Sequence, residues 1–366
     1  MSFTLRANLA KAGMLSICLS LVFVAMATAQ RVSDIHLFKK GGDQVDWCRS
    51  SNRIVYASRG PDSNYGIHTC LPNGEDDVWI TKDNPHVPPG QKGTPCWHPS
   101  GKWILFVAEK AKHPGSSFWS TPGIGNNSDL WLMTADGQNA WPLTDLPISG
   151  DKGLIIPKFS HDGKKIVWAD RVEKARVAVP RQFCAYWDLK VADLEFINGV
   201  PKLTNIKTFR PGGNKAFNES YGFTPDDKSI IFCSDYNQPS FWQSQIFTCD
   251  ASTGGNITQL TNGSYNEHAC YSPDGKSIVW MTAEGEWRGT DWWIMNVDGS
   301  NKHQLTFFNK RGHKEYSPTR KTCCLGVFSP DGKQFLGGIQ NSIIKQTGDS
   351  YMLTFGGDQK PVAQIK

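Results

Sequence analysis

The chain carries none of the short motifs that mark the commonest hydrolase and nucleotide chemistries. It has no H-E-x-x-H pair of zinc-binding histidines, no phosphate-cradling P-loop and no G-x-S-x-G nucleophile elbow. Gly123-Ile124-Gly125 lacks the third glycine of a dinucleotide fingerprint. No C-x-x-C or C-x-x-C-H occurs, which argues against covalently attached haem and against a four-cysteine zinc site on this chain. No block of Lys and Arg is present to follow a phosphate backbone, so nucleic acid is a poor partner. Beyond the first 29 residues, no apolar run is long enough to insert as a membrane helix.

The N-terminus reads as an address. Arg6 and Lys11 supply a positive start, Met14 to Met26 is an apolar run, and Ala27-Thr28-Ala29 gives the small-x-small pattern that signal peptidase cuts. The expected mature chain begins at Gln30, and the expected compartment is periplasmic or an extracytoplasmic equivalent. Ile17 is bulkier than the small residue usual before a lipidated cysteine, which disfavours lipidation of Cys18. Cleavage leaves 37 basic against 34 acidic residues, a net charge of +3 spread along the chain. It also leaves nine cysteines, an odd number with no dense framework. An oxidising compartment permits disulfides, and Cys233 and Cys249, on neighbouring strands of one unit, are one candidate pair.

What the chain has in abundance is repetition. The segment Trp47–Tyr56 (WCRSSNRIVY) aligns without gaps to Trp97–Phe106 (WHPSGKWILF) and Phe159–Trp168 (FSHDGKKIVW). The pattern returns at Phe223–Phe232 (FTPDDKSIIF), Tyr271–Trp280 (YSPDGKSIVW) and Phe328–Gly337 (FSPDGKQFLG). In each copy an aromatic ends one strand, a Ser-Pro-Asp-Gly-Lys-like turn follows, and β-branched or aromatic residues begin the next strand. A further strand follows most copies, clearest as Asp129–Gly137 (DLWLMTADG) and Asp291–Gly299 (DWWIMNVDG). Its Asp-Gly turn leads to a Leu-Thr strand at 143–144, 203–204, 260–261 and 305–306. Four strands every roughly 50–65 residues is near the period of a propeller blade.

These residues resemble the TolB-like, WD40-like propeller repeat, over nearly the whole mature chain. The resemblance implies an all-β propeller of six four-stranded blades, in one domain spanning residues 30–366. Asp34–Phe38 and Tyr351–Phe355 both look like third strands, so the ring is closed by N- and C-terminal strands, or a degenerate seventh blade is built from both ends. The turns within strand pairs 1–2 and 3–4 then form one plain face. The long segments 108–128, 170–186, 234–244, 281–290 and 309–322 decorate the other, where function usually sits.

Two units match again just before the first strand. Phe217-Asn218-Glu219-Ser220 aligns with Tyr265-Asn266-Glu267-His268, which places Glu219 and Glu267 side by side at the channel mouth. With His268, these carboxylates can bind a divalent metal, act as acid and base, or cap backbone groups at blade junctions. Cys323-Cys324 occupies the corresponding place in the last unit, as a metal ligand, a disulfide partner or a small buried hydrophobe. His98 and His161 fall in plain-face turns and read as solvent-exposed, while His313 lies in a charged loop near the mouth. Trp119, Trp242 and Trp287 lie in decorated loops, placed for stacking on a sugar, anchoring a partner protein or packing the loop itself.

Two functions follow from the resemblance. One is a binding and assembly subunit of an exported complex, not catalytic alone and without covalent cofactor. The haem-free propeller subunit of redox complexes such as anammox hydrazine synthase is of this kind, and there the partners would be cytochrome-type. The other is a metal-assisted polysaccharide lyase like the oligogalacturonate lyases. Those hold their metal with a histidine cluster, whereas here His268 is the one well-placed histidine, with His313 next.

Overall fold

The computed structural model describes residues 30–112, 117–176, 178–179, 184–283, 289–342 and 347–356. The expected signal peptide (1–29) and Trp287 lie outside them. No helix among the described residues is long and apolar enough to cross a membrane.

Strand β1 (Arg31–Lys39) opens the chain. Blade 1 follows as β2 (Gly42–Trp47), β3 (Ile54–Arg59), β4 (Tyr65–Cys70) and β5 (Val78–Trp79). Blade 2 is β6 (Lys92–Trp97), β7 (Trp103–Glu109), β8 (Ser128–Thr134) and β9 (Ala140–Pro142). Blade 3 is β10 (Leu154–Phe159), β11 (Lys165–Glu173), β12 (Tyr186–Ile197) and β13 (Val200–Phe209). Blade 4 is β14 (Asn218–Phe223), β15 (Ser229–Ser234), β16 (Gln245–Asp250) and β17 (Thr258–Gln259). Blade 5 is β18 (Asn266–Tyr271), β19 (Ser277–Thr282), β20 (Asp291–Asn296) and β21 (His303–Gln304). Blade 6 is β22 (Thr322–Phe328), β23 (Gln334–Ser342) and β24 (Thr347–Gly356). The N-terminal β1 pairs antiparallel with β24 and completes blade 6 as its outer strand. The fold is therefore an all-β propeller of six four-stranded blades, and both chain ends are used in closing the ring rather than in a seventh blade.

The repeated turn has a repeated cause. In blades 3 to 6 the first-position hydroxyl (Ser160, Thr224, Ser272, Ser329) donates to the aspartate two residues on at 2.7 Å. That aspartate also accepts the backbone N–H of the following lysine. The next step needs left-handed backbone, and Gly163, Gly275 and Gly332 supply it at φ of 70–74°. Asn52 and Asp227 hold the same conformation in the divergent copies. The Leu-Thr pairs, expected as strands, have another task in blades 2, 4 and 5. Thr144, Thr261 and Thr306 lie just past the fourth strand, where each hydroxyl accepts an N–H from the third strand and donates to a side chain in that strand's first two residues. In blade 3 Leu203 and Thr204 do lie within a strand, β13.

The core lies between blades, not within one. Ile67 and Val55 of blade 1 pack with Phe106 and Met133 of blade 2. Leu105 and Leu132 of blade 2 meet Trp168 of blade 3, and Val167 meets Phe232 and Phe247 of blade 4. Blades 4, 5 and 6 share one continuous cluster containing Trp280, Trp292 and Phe335. In blade 6 the hairpin's second aromatic slot is Gly337, because the indole of Trp292 from blade 5 already fills it. Cys233 stands opposite Ile246 and Cys249 opposite Ile230, three pairs apart on the β15–β16 ladder. That separation is too long for the candidate disulfide, and both are free buried thiols.

Candidate functional site

The innermost strand of every blade runs along the central channel, and each is bent at the same step. A register shift four to one residues before the hairpin aromatic interrupts β2, β6, β10 and β18, and nearby ones interrupt β14 and β22. At this bulge Gln44, Thr94, Ile156 and His268 adopt left-handed backbone, with φ of 53°, 47°, 46° and 54°. A bulge re-aims side chains that would otherwise alternate. In blade 5 the consequence is chemical: the adjacent Glu267 and His268 turn toward one another and toward Glu219 of blade 4.

The three expected residues do come together. His268 Nε2 lies 3.9 Å from Glu219 Oε2 and 3.8 Å from Glu267 Oε2, and ligand atoms of all three fall within 4.8 Å. They lie inside β14 and β18 rather than before them, and both carboxylates are 5% exposed, so they sit within the channel wall and not on an open rim. Tyr221 donates its hydroxyl to Glu219 Oε2 at 2.6 Å, and Tyr265 bonds Glu267. The Cys233 thiol is 3.9 Å from Glu267 Oε1.

Burial sets the charge states. It pushes the Glu219 carboxyl above its usual range, against the opposing Tyr221 hydrogen bond. Glu267 is raised further, first by burial and then by the charge of Glu219. The same burial lowers His268 to about 4, with the Cys323 backbone as the weaker opposing influence. The imidazole is neutral at pH 7, and its Nδ1 makes no hydrogen bond among the described residues. Two carboxyls and a neutral imidazole that share one buried point match the donor set of a divalent cation.

The other sequence candidates disperse. His98 is half-buried rather than exposed: its Nε2 reaches the Gly163 carbonyl of blade 3 at 3.2 Å and its ring meets Phe159 edge-on. His161 remains exposed but also bridges blades, to Asp227 at 2.8 Å. His313 stacks on Phe307 at 4.2 Å within its own loop. Cys323 is buried and Cys324 half-buried, and both are free thiols. Trp242 packs against Phe241 and Tyr265, whereas Trp119 is 58% exposed.

Two features went unread in the sequence. Asp43 stands four residues before Trp47, the same offset as Glu219 and Glu267 from their aromatics. It is buried, its Oδ1 makes no hydrogen bond, and burial raises its pKa to about 7. That offset was available as a signal. The second is an ion pair across the channel, Lys158 Nζ to Asp46 Oδ1 at 3.4 Å, for which the repeat carries none.

No protein-family model and no curated protein sequence matches the chain. Solved structures do. TolB from Acinetobacter baumannii is similar at 18% identity and a TM-score of 0.53, over 84% of this chain and 64% of that one. A structure assigned as TolB from Agrobacterium tumefaciens gives 16% and 0.53, over 90% of this chain and 100% of the other. An oligogalacturonate lyase in complex with manganese gives 12% and 0.50, over 88% and 90%. At such identities the likeness speaks for the fold alone, a six-bladed β-propeller that resembles the TolB structures.

Proposed function

We propose that the chain is a binding and assembly propeller, a subunit of an exported multi-protein complex that is not catalytic by itself. The observation that supports this most is the set of exposed apolar side chains on decorated loops. Trp119 (58% exposed), Ile148 (46%) and Val179 (39%) all stand on loops of the neighbouring blades 2 and 3. Large apolar groups held out by a rigid scaffold are what a protein partner covers, and Trp is the residue type most often dominant in such contacts. In its finer form the reading makes the partner a cytochrome-type subunit of a redox complex of the hydrazine synthase kind. The test is isolation of the native mature protein, expected to begin at Gln30, with mass spectrometry of what accompanies it. A stoichiometric partner, lost on Trp119→Ala, is expected, and a haem-bearing partner would support the finer form. A lone monomer would overturn both.

A second reading, a metal-assisted polysaccharide lyase, is favoured by the convergence of Glu219, Glu267 and His268. These residues would hold the cation, and a bound divalent ion would supply Lewis-acid stabilisation of developing negative charge. Tyr221 and Tyr265 orient the two carboxyls by hydrogen bonds. Metal analysis of the purified protein tests it: about one divalent ion per chain, lost on Glu267→Ala, is the expected outcome, and a metal content unaltered by that substitution would dismiss it.

A further inference from the structure

The end of the channel that opens on the plain face holds a cavity of about 220 Å³. Hairpin aromatics, including Trp47, Trp97 and Tyr271, wall it, and Arg49 lies among its lining. It also reaches Tyr221, whose hydroxyl is committed to Glu219. That tyrosine stands between the cavity and the Glu219–Glu267–His268 trio, so the two are separate sites.

The cavity is crossed by the ion pair of blades 1 and 3. Asp46 is anchored from behind, because its Oδ2 accepts the Trp97 backbone N–H at 2.7 Å. Lys158 is held less firmly: its ammonium has three donors, and among the described residues its one hydrogen-bond partner is Asp46 Oδ1 at 3.4 Å. Both side chains are largely buried, at 20% and 13% exposure. A buried ammonium needs close, well-directed acceptors to offset its lost hydration, and one long contact does little of that. Arg49 adds a second positive charge, against the single carboxylate of Asp46. The lining thus carries a net positive charge at the ion pair, and hairpin aromatics with aliphatic side chains such as Ile231 and Leu325 make up much of the rest.

We propose that this cavity is a binding site for a small organic carboxylate, whose carboxyl group bonds Lys158 while its body packs on the aromatic wall. The volume bounds the ligand. It is below the roughly 300–1,000 Å³ of pockets for drug-sized molecules, and fits a single-ring acid rather than a polymer. Asp46 competes for the same ammonium, so it sets the affinity rather than the capacity. The site does not depend on any partner protein, nor on a metal at the trio.

Isothermal titration of the folded mature protein with acetate, benzoate and neutral benzamide tests this. Benzoate is expected to bind saturably at one per chain, acetate more weakly, and benzamide at least tenfold more weakly than benzoate. Lys158→Met should weaken benzoate at least tenfold. Asp46→Asn keeps an oxygen acceptor for the Trp97 N–H and removes the competing charge, so it should tighten benzoate several-fold; it also decides the matter if Lys158→Met does not fold. Location is read from thiol labelling. Cys270 lines the cavity and Cys184 does not, so benzoate should slow maleimide labelling of Cys270 and leave Cys184 unchanged. Absence of saturable binding by either acid, equal affinity for benzoate and benzamide, or benzoate affinity unmoved in both variants would overturn the proposal.

Discussion

Two blades of the ring differ from the other four at the same step of the same strand. Four residues before the hairpin aromatic, blades 4, 5, 6 and 1 carry Glu219, Glu267, Cys324 and Asp43, while blades 2 and 3 carry Gly93 and Ile155. The four form a continuous arc of ionisable groups that burial holds toward their protonated forms. The two are covered from above. A Cβ at position 93 would overlap the ring of Pro122, and one at Gly125 would meet the Leu154 carbonyl and Ile155. The loop that carries exposed Trp119 thus folds down onto the channel wall of blades 2 and 3. The propeller gives every blade the same frame, and side chains at one repeated step divide it into a chemical side, lined by ionisable groups, and the side proposed above for docking.

If only the channel step distinguishes the two sides, their cores should be equally costly to damage. Trp168 in blade 3 and Trp280 in blade 5 are both buried in the same hairpin slot. Replacing either by alanine is expected to cost about 3–5 kcal/mol in urea unfolding. The Trp280 change should cost slightly more, because Asn266 Oδ1 also loses the indole N–H at 2.8 Å. A Trp168→Ala cost under half that of Trp280→Ala would show that the asymmetry extends into the core.

The ionisable arc predicts a pH dependence with a definite sign. Asp43 is raised from 3.8 to about 7, first by burial and then by Asp349, against Arg59. The folded chain therefore retains a proton that the unfolded chain has released. Its destabilising contribution is absent below about pH 4, grows as pH rises, and is complete above pH 7, reaching about 4 kcal/mol at most. Asp43→Asn should remove this slope, so that the variant gains on the wild type between pH 5 and pH 8. Parallel curves for the two proteins would show that Asp43 is ionised in the fold.

On the docking side, Gly93→Ala should cost about 1–3 kcal/mol, since Pro122 must give way. The same variant should loosen the Trp119 loop and raise its proteolysis rate. An unchanged rate would separate that loop from the channel wall. The smallest expected effect on stability is that of Trp119→Ala, within about 0.5 kcal/mol of wild type, although partner recovery should fall. A large drop in melting temperature would make Trp119 a packing residue instead.

Much of this frame was legible in the sequence because turns are local chemistry. A hydroxyl, an aspartate two residues on and a glycine beyond it specify the hairpin within six residues, and six copies at blade spacing specify the ring. The Glu219–Glu267 pair was legible for the same reason, as a repeat within the repeat. Position 46 was not. Its equivalents are Cys96, Lys158, Gly222, Cys270 and Val327, so no pattern marks it, and its contact with Lys158 exists only once the ring closes. Blade 3 shows another limit. The Leu203-Thr204 pair suggested a short outer strand like the others, yet β12 and β13 run to 12 and 10 residues. Asn198 and Gly199, at φ of 53° and 80°, make the tight turn that allows this. The extension leaves Phe196, Ile197 and Val200 exposed at its tip, on the face expected to be plain.

The most direct test of the division into chemical and docking sides is hydrogen exchange of the native complex compared with the isolated propeller. Protection on complex formation is expected in the loops around Trp119, Ile148 and Val179 of blades 2 and 3, with the channel strands of blades 4 and 5 unchanged. Protection confined to the extended hairpin of blade 3 or to the ionisable arc, with those loops unaffected, would contradict it.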